Sequence, residues 1–179
     1  NAGIADDDPM DLATLWYLTI GTLLVATAMT LWERQALTLR SRELGVWAAA
    51  YATFAVICIV AMNRSALPGV TGAALSNVTV VFGHALVLKG VLALDGKTLR
   101  HGMLAGLPVV LGAAWIIAGT EMGSVFWNHV GAFPIAVLCA LTALALFRSR
   151  AARGLRSRPL AVAVFACHSL TYAARAFVL

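Results

Sequence analysis

Two histidines, His84 and His168, sit near the middle of long apolar stretches, about ten residues into the third such stretch and about nine into the sixth. An ionisable side chain at the centre of a membrane span is costly, so its presence points to function. The third stretch runs inward and the sixth outward, so both imidazoles arrive at similar depth. Two axial nitrogens on separate helices are what a b-type haem held in a bundle requires. Asn77 precedes His84 by seven residues and Arg175 follows His168 by seven. Each therefore shares its histidine's helix face and lies about 10 Å nearer the outer surface. Arg64 stands at the same level, and either arginine would neutralise a haem propionate. Gly83 beside His84, with Ala173 and Ala174 beside Arg175, leaves room for a flat ring or for close helix contact. His129, about one turn into the fifth stretch, is the alternative ligand, whereas His101 opens the fourth at the inner interface. A plainer chemistry competes: a neutral intramembrane histidine hydrogen-bonded to a neighbouring hydroxyl or carbonyl, with Thr79 and Ser169 at hand.

The elements that would carry these residues are apolar runs near residues 12–32, 44–62, 74–94, 102–119, 125–147 and 159–179. A hydrocarbon core about 30 Å thick needs about 20 helical residues, and all six runs approach that length. Composition agrees, since 61% of the chain is hydrophobic and 12% charged, with a mean hydropathy of +0.86. A soluble domain of 179 residues could not bury so much apolar surface. The runs are continuous rather than alternating, which selects helices over a barrel. The expected fold is an all-α polytopic transmembrane bundle, spanning residues 10–179 and placed in a lipid bilayer.

Charge sets the expected orientation. Arg34, Arg40 and Arg42 follow the first run; Lys97 and Arg100 follow the third, with Lys89 just inside it; Arg148, Arg150, Arg153, Arg156 and Arg158 follow the fifth. Basic joints stay in the cytoplasm, so these three face inward. The other joints carry Arg64 or Glu121, and the N-terminal segment holds Asp6, Asp7, Asp8 and Asp11, so they face outward. Eleven of the 13 basic residues thus fall on the inner side. The formal charge of +5 therefore reports membrane orientation, not nucleic-acid binding.

Local signals refine this picture. Residues 1–9 read as a polar leader of the kind a tag leaves, without the basic start of a signal peptide. Leu67-Pro68-Gly69 turns between the second and third runs, and Pro159 opens the sixth. Pro108 and Pro134 are expected to kink the fourth and fifth. Trp16, Tyr17, Trp32, Trp115 and Trp127 suit an interfacial belt. Cys58, Cys139 and Cys167 lack metal or redox spacing and are expected to be buried apolar side chains. There is no phosphate-binding loop, dinucleotide fingerprint, zinc-protease motif or intramembrane carboxylate pair, so this segment carries no recognised catalytic apparatus.

One block is more specific. From Gly45 to Gly96 the chain has Trp47 entering the second run, Asn63-Arg64-Ser65-Ala66-Leu67-Pro68 at the outer turn, Asn77, Gly83-His84, Lys89-Gly90 and Asp95-Gly96. It resembles the membrane-bound sensory region of bacterial GGDEF proteins, the diguanylate cyclases. The opening Met10-Asp11-Leu12-Ala13-Thr14-Leu15-Trp16 is similar to the start of many of them. The resemblance covers the first half of the chain, and the rest follows as a hydropathy pattern. It implies a bacterial inner-membrane sensor ahead of a cytosolic GGDEF output domain. That domain would condense two GTP into cyclic di-GMP with Mg²⁺, and two copies must meet to join their substrates, which implies a homodimer. With six spans both termini lie outside, so a seventh helix is inferred after Leu179 to reach that domain. The alternative reading is a self-contained haem-binding electron carrier or small transporter.

The orientation is directly testable in a background with the native cysteines replaced by alanine. A cysteine introduced as Ser65→Cys should react with an impermeant maleimide on intact cells, and Arg153→Cys should react only after lysis. Labelling of Arg153→Cys on intact cells would overturn the topology.

Overall fold

The computed structural model describes residues 12–177, with the side chains of residues 39, 101 and 123–129 left aside. The leader at residues 1–9 and the last two residues lie outside that range. Six helices follow one another: α1 (Leu12–Ala36), α2 (Ser41–Met62), α3 (Thr71–Leu94), α4 (His101–His129), α5 (Phe133–Arg148) and α6 (Arg158–Phe177). Five of them each contain a segment long and apolar enough to cross a membrane, and the sixth such segment, Val130–Arg148, is α5 together with the turn that precedes it. Among the described residues there is no strand, so the fold is an all-helical bundle.

Helix α3 is the hub. It packs on α2, α4 and α5, whereas α1 packs on α2, and α6 mainly on α5. The core centres on Val81, Ala85, Leu86, Val87 and Leu88 of α3. Ala50, Leu104, Trp115, Ile135, Leu138 and Cys139 reach it from α2, α4 and α5. Small residues set the spacing, as expected where dispersion rather than hydrophobic exclusion joins helices. A Cβ on Gly90 would lie 3.0 Å from the Trp47 ring, and one on Gly83 3.3 Å from Phe54 and Ile57. Gly83 therefore serves close contact with α2; it leaves no room for a flat ring on that face. Helices α1 and α6 contain no buried residue.

The fourth and fifth helices depart from the expected boundaries. Helix α4 does not end near residue 119 but runs on to His129, and a 3₁₀ turn over Val130–Ala132 leads into α5. Glu121 and the glycines on either side of it, Gly119 and Gly123, do not stop a helix; Pro134 does. It occupies the first turn of α5, where its missing N–H costs nothing, instead of kinking the helix interior. Pro108 does lie inside α4. His129 accordingly closes α4 and is not a turn into the fifth helix. The longer α4 also moves Trp115 to mid-helix, where it is buried at 2% exposure and not in an interfacial belt. Cys58 and Cys139 are buried as expected, but Cys167 is exposed.

One end of the bundle is clasped. Helix α3 closes in a Schellman motif, with Gly96 at φ +69°, Lys97 N donating to Leu92 O at 3.0 Å and Gly96 N to Ala93 O at 3.0 Å. This leaves Asp95 facing the joint after α5. Its Oδ1 accepts from Ser149 Oγ at 3.0 Å and from the amides of Arg150 and Ala151 at 3.1 Å each. Ser149 Oγ in turn accepts from Ala152 N at 3.1 Å. The Asp95 carboxylate thus caps the turn that leads to α6. Arg158 then donates from Nε to Leu146 O at 3.0 Å and from a second guanidinium nitrogen to Phe147 O, satisfying the C-terminal carbonyls of α5.

These donors, first the Ala151 amide and then Ser149 and Arg150, hold the Asp95 carboxyl below its ordinary value, helped by the charge of Lys97. A depressed carboxyl stabilises the fold above its unfolded-state pKa, and the effect is lost as pH falls through the folded value. Thermal stability in detergent should therefore fall on acidification below about pH 4, and Asp95→Ala should remove that part of the slope. Ser149→Ala, which deletes a buried hydroxyl bonded on both sides, should cost about 1–2 kcal/mol at neutral pH.

Candidate functional site at the His84–His168 pair

His84 and His168 each lie ten residues from the end of their helix that borders the basic joints, α3 ending at Leu94 and α6 beginning at Arg158. That is about 15 Å along either axis, which brings two antiparallel helices to register at the histidines. The ring centroids are 6.0 Å apart with planes inclined by 22°. The separation lies within ordinary aromatic packing. It also suits two imidazoles sharing one metal, since about 2 Å per metal–nitrogen bond and about 1 Å from nitrogen to ring centre give about 6 Å.

The two rings have different surroundings. His84 is 6% exposed, with Phe54 of α2 edge-on at 5.2 Å. Its Nδ1 lies 2.8 Å from Val80 O. A carbonyl only accepts, so Nδ1 is assigned the proton and Nε2 is left with the lone pair, the arrangement of a ligating histidine. His168 is exposed and its ring contacts are His84 and Tyr172. Tyr172, one turn further along α6, sets its ring edge-on to His168 at 5.1 Å and to His84 at 6.5 Å. The hydroxyls proposed from sequence as histidine partners are engaged elsewhere. Thr79 donates to Leu75 O at 2.6 Å, and Ser169 donates to Ala136 O at 2.8 Å, tying α6 to α5.

On the side of the pair away from the basic joints, Arg64, Asn77 and Arg175 converge on one recess of about 160 Å³, completed by Ser76, Tyr172, Val80, Ala132 and Ile135. Asn77 donates Nδ2 to Ala73 O at 2.9 Å, and Gly131 admits its side chain so closely that a Cβ there would lie 3.2 Å from Oδ1. Arg64 is delivered by the α2–α3 turn, where Gly69 adopts φ +55° and Gly72 lies beneath the Arg64 carbonyl. Five of the six residues singled out from sequence therefore share one side of the bundle. The sixth, the alternative ligand His129, has a side chain outside the described residues.

Tyr172 and Ser76 belong to the site although neither was singled out from sequence. Tyr172 had a readable signal, because it follows His168 by four residues and so shares its face. Ser76 had none, since a serine on a membrane helix usually bonds its own backbone, as this one does to Ala73 O at 3.1 Å.

Among the described residues no group of three or more histidine, cysteine or carboxylate side chains gathers to hold a metal. A tetrahedral zinc site of three or four protein ligands therefore has no donor set here. A haem, which brings four nitrogens of its own, needs only two histidines. The donors present fit that group in number, spacing and the placing of cations for its carboxylates. The recess takes carboxylates and not a macrocycle. The fold and site together define a class, a multi-pass membrane protein with a polar, histidine-bearing seam between α3 and α6. Comparison with protein-family models, curated proteins and solved structures finds no match.

The turn that delivers Arg64 has a sharp steric test. A Cβ on Gly72 would lie 2.5 Å from Arg64 O, whereas one on Gly21 meets nothing within 4 Å. Gly72→Ala should displace the Arg64 turn and cost about 1–3 kcal/mol in denaturant or thermal unfolding. Gly21→Ala should stay within about 0.5 kcal/mol of the parent.

Proposed function

We propose that this chain is the membrane sensory domain of a bacterial diguanylate cyclase and that His84 and His168 are the axial ligands of a b-type haem through which it reads a redox state or a gas. The observation that carries the haem reading is the pairing of two imidazoles at one-metal spacing beneath a recess holding two arginines. The output follows from the resemblance of the Gly45–Gly96 block to GGDEF-protein sensory regions. It places the protein in the inner membrane as a homodimer, with the cytosolic domain using GTP and Mg²⁺.

Bound there, the haem would supply a one-electron couple and, on release of one histidine, a gas-binding position. The chain's own residues do the rest. Val80 O orients His84 and keeps its ligand nitrogen free. Arg64 and Arg175 neutralise the carboxylates, with Asn77 as a further donor. Helix α6 is pinned to α5 by Ser169 at mid-membrane and by Arg158 at its inner end. A change in the bond to His168 therefore acts on a helix that buries no residue and packs mainly on α5. Its inner end continues into the Asp95–Ser149 clasp, the route by which such a change would reach the cytosolic side.

Protein purified from haem-supplemented cells should be red, with a six-coordinate b-type spectrum that sharpens on dithionite reduction. His84→Ala or His168→Ala should abolish or convert it, His101→Ala should leave it intact, and Arg175→Ala should weaken retention or shift the potential. Colourless protein, or a spectrum indifferent to both histidines, would overturn the haem. For the output, cyclic di-GMP in cells expressing the native gene should differ between the parent and the His168→Ala protein. A native protein without a cyclase domain would favour the self-contained carrier.

A further inference from the structure

The inner end of the α2–α3 seam holds a second polar cavity, of about 220 Å³, lined by Arg42, Glu43 and Val46 of α2, by Lys89 and Ala93 of α3, and by Gly96, Lys97 and Thr98 beyond it. Lys89 belongs to α3 five residues before its end at Leu94, so its Cα lies about 7.5 Å inside the helix terminus. A lysine at that depth must extend to the polar edge or meet an anion. Here it is half-buried and leads into a cavity to which Arg42 and Lys97 add two more cations. The carboxylates available are Glu43 in the wall and Asp95 nearby. Asp95 has its Oδ1 committed to Ser149, Arg150 and Ala151. Among the described residues no ion pair joins Glu43 to any of the three cations.

Three cations against one wall carboxylate, with Lys97 also acting on the nearby Asp95 carboxylate, leave an excess of positive charge around a half-open cavity and define an anion site. Its place narrows the anion. The cavity opens at the end of the bundle shared by the basic joints and the Asp95 clasp, at headgroup level, with Val46 and Ala93 offering apolar surface beside the charges. An arginine fork with two lysine point charges suits a phosphate. An adjacent apolar wall suits the first carbons of an acyl-glycerol. The geometry points to a binding site for the phosphate of an anionic phospholipid, taken from the cytoplasmic leaflet and wedged between α2 and α3. Glu43 stands ready to accept from a headgroup hydroxyl, as on phosphatidylglycerol. A lipid seated there would tie the first turn of α2 to the last turn of α3, the hub of the fold. This assignment does not depend on the haem.

Native mass spectrometry of the full chain, titrated with phosphatidylglycerol or phosphatidylcholine, tests it. The parent should retain one phosphatidylglycerol molecule at least tenfold more tightly than phosphatidylcholine. Each of Arg42→Gln, Lys89→Gln and Lys97→Gln should weaken that retention about fivefold, and together about 100-fold. Arg148→Gln, Arg153→Gln and Arg156→Gln combined remove the same charge elsewhere on the same side and should change it less than threefold. Equal retention of the two lipids, or equal losses in the two triple variants, would overturn the site. Displacement of the lipid by about 10 mM inorganic phosphate, an ionic strength too low to screen closely spaced charges, would overturn the lipid as its source in favour of a soluble phosphate. If the pocket triple variant fails to fold by circular dichroism, Lys97→Gln alone, in the joint beyond α3, decides the question through its fivefold loss.

Discussion

Within a hydrocarbon layer every peptide N–H and C=O must be satisfied by the chain itself, and nearly everything in this molecule follows from that requirement. It forces six helices, and it forces their ends to be closed by local devices. The Schellman turn at Gly96, the Asp95 carboxylate on the turn after α5, and the Arg158 guanidinium on the last carbonyls of α5 are three such closures on one side. Inside the spans the same rule governs side chains. Thr19, Thr22, Thr27, Thr30, Thr53, Thr79 and Thr142 all return their hydroxyls to the carbonyl four residues back. His84 does the same through Nδ1. What distinguishes His84 is that an imidazole has a second nitrogen, which the helix backbone cannot use.

The bundle is organised around α3, and its two polar seams lie at opposite ends of that helix. Away from the basic joints, α3 and α6 meet through side chains of the histidine pair, Tyr172 and the arginine recess. At the end of the basic joints, α2 and α3 share the basic cavity. Between them the apolar core is built from small residues and interdigitated aliphatics, with Trp47 over Gly90 and Val78 against Gly112 setting the helix spacing. The peripheral helices α1 and α6 carry no buried residue. Helix α6 holds one member of the histidine pair and is therefore the element whose position a change at that pair can most readily alter.

The helix boundaries were legible wherever a local rule decides them. Pro159 opens α6 and Pro68-Gly69 turns the chain, because proline and glycine act through their own backbone. The α4–α5 joint was misread because hydropathy weakens around Glu121, and a dip in hydropathy is not a helix stop. Glu121 sits on a continuous helix, and the actual break waits for the residues before Pro134. Trp115 and Cys167 were misplaced for a related reason. Whether a membrane-helix residue faces the core or the lipid depends on rotation about the axis, and an all-apolar helix has no amphipathic stripe to reveal it.

By itself the sequence determined the class of fold, the number of spans, the grouping of basic joints on one end, and the equal depth of His84 and His168. All of these are one-dimensional properties: lengths, charges and distances along a helix axis. Only the tertiary structure decided that the two histidines face each other, that Tyr172 lies against both, and that Arg64, Asn77 and Arg175 share one recess. It also decided that Asp95 reaches Ser149, 54 residues away, and that Arg42, Lys89 and Lys97 meet around one cavity. Those juxtapositions depend on which helix neighbours which and how each is rotated. In lipid that is settled by the fit of glycine against aromatic and small residue against backbone, a three-dimensional complementarity that neither hydropathy nor spacing encodes.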